Sequence, residues 1–315
     1  MKVKNYFVAI ANGVLVFILL TACNTLLPRP APTPTLQPLP TTGTQYFFAA
    51  NRFLIPTTQE QTKEFAFNLD GDLQNSRDNK FGDLLTLLTS ASQGIELQST
   101  LDQAVMDGQI VSLNILKASD PLNDKSVSWS FFLGHKPQVM PKFDGTDQFT
   151  VDTDAPVIAP IVGSLTNGHF IGGPGSARVQ MYLLGQMVDV KLSGVYLEAD
   201  VTANGCANGK LGGGLSVEEF RGKILPALLA GLDQVIKSDE TVAGTLLPIF
   251  DTDRNGIISI EEFESNPLLM LAVSPDLDLL DASGSFNPNQ DGVKDSYSLG
   301  IGFTCVPAVF TQPVE

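Results

Sequence analysis

Residues 168–201 read GHFIGGPGSARVQMYLLGQMVDVKLSGVYLEADV, and this stretch decides the fold. In Ala177–Leu184, Met187–Leu192 and Val195–Val201, apolar and polar side chains alternate with a period of two. Each segment is therefore expected to be a strand with one face turned to a core. Gly185 allows a tight reversal, so the hairpin Leu184-Gly185-Gln186-Met187 sets its two strands antiparallel. Gly172-Gly173-Pro174-Gly175 reads as a glycine turn that separates a further strand, Gly168–Ile171, from the next.

The same signature extends in both directions. Upstream, Gln45–Phe53, Glu64–Leu69, Ile110–Leu116, Ser126–Leu133 around Trp129, and Gln148–Val151 read as strands. Downstream, Leu277–Leu280 and Ser296–Phe310 return to that pattern. Turn residues mark the breaks at Gly134, Asp144-Gly145, Asn167-Gly168 and Asn204-Gly205. Short strands spaced by turns, without intervening helices, indicate antiparallel pairing. Two helices precede the main β run, one through Asp83–Leu88 and one over Leu97–Met106, where apolar residues recur at helical spacing. Ser216 and Glu219 form a capping-box pattern that starts an amphipathic helix to about Lys237, with Pro226 expected to kink or divide it. The expected fold class is α+β: a mainly antiparallel β-sandwich or barrel-like body with a helical insert at about 214–274. With 43% apolar residues, the chain has ample material for a core.

Inside the insert, residues 251–262 read Asp-Thr-Asp-Arg-Asn-Gly-Ile-Ile-Ser-Ile-Glu-Glu. A hard dication needs about six to eight oxygens at roughly 2.3–2.6 Å from a chain wrapped tightly around it. Asp251, Asp253 and Asn255 place side-chain oxygens at positions 1, 3 and 5. Gly256 sits at the sharp reversal, Ile257 offers its carbonyl at 7, Ser259 can hold a water at 9, and Glu262 closes the shell at 12. These twelve residues resemble an EF-hand loop at every ligand position. The resemblance implies calcium as the bound cofactor. Pro248 disfavours a long regular entering helix, and Ser265-Asn266-Pro267 cuts the exiting one short. Short helices of this kind suit a structural site, not a switching lever.

Two weaker oxygen-rich segments are candidate secondary metal sites. In residues 68–78, Asp70, Asp72 and Asp78 cluster, but Gly71 and Leu73 break the calcium-loop spacing. Residues 287–295 resemble the first half of such a loop, with Asn289, Asp291, Gly292 and Asp295 in place. Ser298 stands where the closing glutamate is needed.

At the N-terminus, Lys2 and Lys4 precede an apolar run from Tyr6 to Leu20, the pattern of a secretory signal. Leu20-Thr21-Ala22-Cys23 resembles a bacterial lipobox, which implies cleavage before Cys23 and lipidation of its thiol. Asn24 replaces the Asp that would retain a lipoprotein in the inner membrane. This favours an outer-membrane or outer-surface anchor. Six prolines between Pro28 and Pro40 make residues 27–44 a semi-rigid stalk. The organisation is thus 1–22 signal, 23–44 lipidated cysteine and stalk, and 45–315 folded domain. Of the three cysteines, Cys206 and Cys305 remain, and an even pair in an exported chain reads as one disulfide.

Loss of residues 1–22 removes two lysines, taking the formal charge from −15 to −17. A body this acidic excludes nucleic acid as a partner. No HExxH, G-x-S-x-G or Cys/His metal spacing occurs, and His135 and His169 stand alone. Gly172-Gly-Pro-Gly-Ser176 beside His169 is the one place for a nucleophile, so the reading is a non-enzyme. As a whole, the chain resembles bacterial envelope lipoproteins that join an Asp-rich segment near the start to an EF-hand near the end. The expected function is that of a calcium-binding, membrane-anchored envelope protein with a structural or binding role. The alternatives are a secreted hydrolase stabilised by calcium, or a carrier of an apolar ligand; a protein partner is also compatible. Replacement of Cys23 by serine is expected to abolish lipidation. Persistent labelling of the variant with radioactive palmitate would contradict the lipobox reading.

Overall fold

The structure, a computed structural model, describes residues 43–72, 77–91, 95–156, 158–267, 274–288 and 291–311. The signal, Cys23, most of the stalk and Asn289 lie outside them. The strands are β1 (Thr44–Leu54), β2 (Ser112–Ala118), β3 (Asp124–Leu133), β4 (Gln148–Phe149), β5 (Ile161–Thr166), β6 (His169–Leu183), β7 (Gln186–Thr202), β8 (Gly205–Ser216), β9 (Ser296–Pro307) and β10 (Val309–Phe310). Eight of them close into a barrel in the order β1-β2-β3-β5-β6-β7-β8-β9, every pairing antiparallel. Of the two expected architectures, the barrel is the one adopted. β4 and β10 form a separate parallel pair.

The predicted hairpin is present. Leu183 pairs with Gln186, and the two loop residues have φ of +52° (Leu184) and +87° (Gly185). Positive φ at both positions matches the twist of the flanking strands. The glycines at 172–175 do not form a turn between strands. β6 runs unbroken from His169 to Leu183, and register shifts between Gly172 and Ser176 absorb the glycines as a bulge. Glu64–Leu69 is likewise not a strand. Thr58 caps a short helix, α1 (Gln59–Glu64), and Phe67 makes only an isolated bridge with Asp78. Leu277–Leu280 also contributes only isolated bridges.

The barrel interior is built around Trp129, which is fully buried and has Phe48, Phe131, Phe170 and Phe303 at ring-centroid distances of 5.3–6.5 Å. Its indole N–H donates to Asn114 Oδ1 at 3.1 Å, so the one polar atom of the ring is satisfied inside the core. Cys206 and Cys305 face each other across β8 and β9 and are joined as a disulfide, as expected. The bridge spans a sequence separation of 99 residues and encloses the helical insert.

Helices α2 (Lys80–Ala91) and α3 (Leu97–Met106) cover the barrel. α3 packs on both β1 and β6, which lie opposite each other in the strand order, so it closes one mouth. Asn79 fixes α2 to β9: its Oδ1 accepts from the Gly82 and Gly300 N–H groups, and its Nδ2 donates to the Gly300 and Thr62 carbonyls.

The insert runs from α4 (Val217–Glu219) through a π turn (Phe220–Ile224) into α5 (Leu225–Ser238), then α6 (Glu240–Phe250) and α7 (Ile260–Ser265). Pro226 accounts for the π turn, because it cannot donate the regular helical bond and sits at the start of α5. Ser216 caps α4, but Glu219 does not close the expected box. Its carboxylate binds the Lys191 N–H and Lys223 instead, holding the insert to β7. Among the described residues no helix is long and apolar enough to cross a membrane.

Outside β8 the body carries a small layer of its own. Leu69, Leu277 and Leu279 form a separate buried cluster with Phe67, Tyr196 and Phe286. Glycines on β8 make room for it: a Cβ at Gly212 would meet the Phe67 ring at 2.4 Å, and one at Gly214 would meet Leu279 at 2.3 Å. Replacing Trp129 by alanine is expected to cost about 3–5 kcal/mol in denaturant unfolding. A loss below about 1 kcal/mol would show that the interior does not depend on it.

Candidate metal centre

α6 ends at Phe250 and α7 begins at Ile260, so the intervening loop is held at both ends by the core. Phe250 and Phe263 are buried in the main apolar cluster, and Ile258 joins them from within the loop. Arg221 ties α7 to the π turn through Glu264 at 2.8 Å. Asn266 donates to the Ile249 carbonyl at 2.8 Å, which links the exit of α7 to the end of α6.

This frame draws Asp251, Asp253 and Glu262 together, with ligand oxygens all within 4.8 Å of one another. Among the described residues no other group of three acids, histidines or cysteines converges in this way. Asp251 and Glu262 are each only 8% exposed, while Asp253 faces solvent.

Backbone N–H groups hold the carboxylates. Asp251 accepts from Asn255 N at 3.1 Å and from Gly256 N at 2.8 Å, and the chain can reverse because Gly256 has φ +86°. Glu262 Oε1 accepts from Thr252 N (2.6 Å), Thr252 Oγ1 (2.9 Å) and Asp253 N (3.1 Å). Its Oε2 accepts from Ser259 N (3.0 Å) and Ser259 Oγ (2.9 Å), completing a capping box at the start of α7. The N–H groups of Ser259 and Asp253, with the Ser259 and Thr252 hydroxyls, pull the Glu262 carboxyl down to about 2. It is therefore ionised throughout the physiological range. Asn255 Oδ1 accepts from Ile257 N at 2.8 Å, and its Nδ2 donates to Asp253 at 2.9 Å. Three carboxylates this close repel one another when charged, and their oxygens form a group that could hold a divalent cation.

The secondary candidates lie together over the outside of β8, although they are distant in sequence. Asp70 accepts from the Asp72 N–H, and its carboxylate lies 3.8 Å from Lys294. Asp78 is buried and accepts from Leu69 N at 2.7 Å. Asp291 accepts from Val293 N, whereas Asp295 is spent on the Leu279 and Leu280 N–H groups and on Ser296. Asp295 thus orders the 276–280 segment. Asp278, which no motif singled out, lies among these residues. The alternation of Asp276 and Asp278 with Leu277 and Leu279 was the available signal. His169 pairs with Asp200 at 2.6 Å, and Ser176 pairs with Ser193 further along β6. Seven strand residues, roughly 20 Å, separate His169 from Ser176, the one candidate for a nucleophile.

Compared with family models, curated proteins and solved structures, the chain has no match.

Burial raises the Asp78 carboxyl to about 6, with the nearby Asp70 and Asp276 charges adding to the shift and the Leu69 N–H opposing it. The native state therefore holds this proton more tightly than the unfolded chain, where the value is 3.8. Stability from this group is fully present below about pH 4 and is lost as pH rises to about 6, on the order of 2–3 kcal/mol. Asp78→Asn is expected to flatten that part of the stability–pH profile in chelator-containing buffer. An unchanged slope between pH 4 and 6 would contradict the assignment.

Proposed function

We propose that this protein is a calcium-binding, lipid-anchored protein of the cell envelope, in which the ion stabilises the fold for a structural or binding role. The observation that carries the reading is the convergence of the Asp251, Asp253 and Glu262 oxygens in a loop with EF-hand spacing at all its ligand positions. Asn255, the Ile257 carbonyl and a water on Ser259 would supply the remaining oxygens. Calcium would neutralise the mutual repulsion of the three carboxylates and couple α6 to α7.

Several features support stabilisation over signalling. α7 has 6 residues and α6 has 11 with Pro248 inside, which leaves little lever to open. Phe250, Ile258 and Phe263 are already buried, so binding would tighten an existing core. The disulfide, the acidic body and the lipobox followed by a proline-rich stalk suit an anchored domain outside the cytoplasm.

In full-length protein stripped with chelator, calcium at a hundredfold excess over Kd is expected to add about 2.7 kcal/mol of stability. Thermal melts should rise accordingly. Glu262→Gln and Asp251→Ala should remove most of that rise. Melts insensitive to calcium in the unmutated protein would overturn the proposal.

A further inference from the structure

We propose that Asp278 and the loop 291–295 form a second site for calcium, composed from separate parts of the chain. Asp278 is 3% exposed. Its Oδ2 accepts from the Gly292 N–H at 2.8 Å, but its Oδ1 is buried and has no hydrogen-bond partner. A buried carboxylate oxygen without a donor is costly, and a bound cation is one of the few partners that relieves it.

Its position relative to the loop points to such a cation. In the 251–262 loop, Gly256 (φ +86°) donates its N–H to Asp251 at 2.8 Å, and the next N–H, of Ile257, is held by Asn255 Oδ1 at 2.8 Å. Around Gly292 (φ +74°) the arrangement repeats: its N–H goes to Asp278 at 2.8 Å, and the Val293 N–H goes to Asp291 Oδ1 at 2.9 Å. Asp278 therefore occupies the place of Asp251, the first ligand, but reaches it from 14 residues away. In one respect the two differ. Asp251 Oδ1 also accepts from Asn255 N, whereas the corresponding oxygen of Asp278 accepts from nothing.

The surroundings offer oxygen and negative charge. Asp70 reaches this loop through Lys294 at 3.8 Å. Asn68 carries a second buried oxygen without a partner, Oδ1, next to Leu69, which packs on Leu277 and Leu279. No sulfur or imidazole ligand accompanies these groups in the local contacts, and an all-oxygen donor set suits a hard cation. Asp291 and Asp295 also line an open cleft of about 610 Å³, which gives the loop access to solvent.

The test counts calcium bound per full-length chain by native mass spectrometry over graded free calcium. Two ions are expected in the unmutated protein, and one each in Glu262→Gln and Asp278→Asn. Asparagine can still accept the Gly292 N–H, so the second variant should keep the loop while losing at least tenfold in affinity at that site. If Asp278→Asn does not fold, Glu262→Gln decides alone: one retained ion supports the second site, and none overturns it. Two ions in Asp278→Asn would also overturn it. Two ions in Glu262→Gln would instead sink the 251–262 site and leave this one standing.

Discussion

Strand β9 pairs on both of its edges, and the closed barrel with everything mounted on it follows from that. This last long strand hydrogen-bonds to β8 on one side and to β1 on the other, and so closes the barrel. Closure removes the exposed edges that an open sheet of this size would present. It also requires the chain to return to its first strand after the helical insert, which makes the closing contacts among the least local in the fold. Three side-chain devices hold β9 in place. Cys305 is bridged to Cys206, Asn79 grips both backbone groups of Gly300, and Tyr297 packs its ring, tilted by 39°, against Phe220 at 4.5 Å. In the chain-entropy view, a bridge across a loop of about 100 residues restrains the unfolded state by up to about 4–5 kcal/mol.

The acidic loop depends on the same strand at one remove. Phe220, the residue against Tyr297, opens the π turn from which α5 departs, and α5 packs on α6 and α7. Phe250 and Phe263 then fix the loop ends. Three carboxylates can be held close together only because this rigid frame and the surrounding N–H groups offset their repulsion. On the other side of β9 and β8, the glycines of β8 admit Phe67 and Leu279, and this places the second acidic region against the barrel wall. Both acidic regions are thus products of the way the insert and the flanking segments lie on a closed sheet.

Local chemistry was legible in the sequence, and long-range geometry was not. The Leu184-Gly185 hairpin, the helix at Leu97–Met106 and the convergence of Asp251, Asp253 and Glu262 all follow from spacing within short windows, and the cysteine pairing follows from there being only two left to pair. The glycine run at 172–175 misled because its signal for a turn is the same as its signal for a bulge, and only pairing with β7 decides between them. Residues 64–69 misled because Phe65 and Phe67 are apolar pegs on β9 and β8, which from sequence look like alternate positions of a strand. The π turn could not be read, since Pro226 announces a disturbance without specifying its form. Asp278 stayed hidden for a different reason: its partner Gly292 lies 14 residues away, beyond any loop motif.

We propose that a calcium ion bound by residues 251–262 stabilises a preformed frame. Backbone hydrogen exchange of the full-length protein, with calcium and then with chelator, tests it most directly. Slower exchange in calcium is expected at the N–H groups of residues 252–259 and in α6 and α7, with the strand pattern of the barrel unchanged. Identical exchange in the two conditions would contradict it.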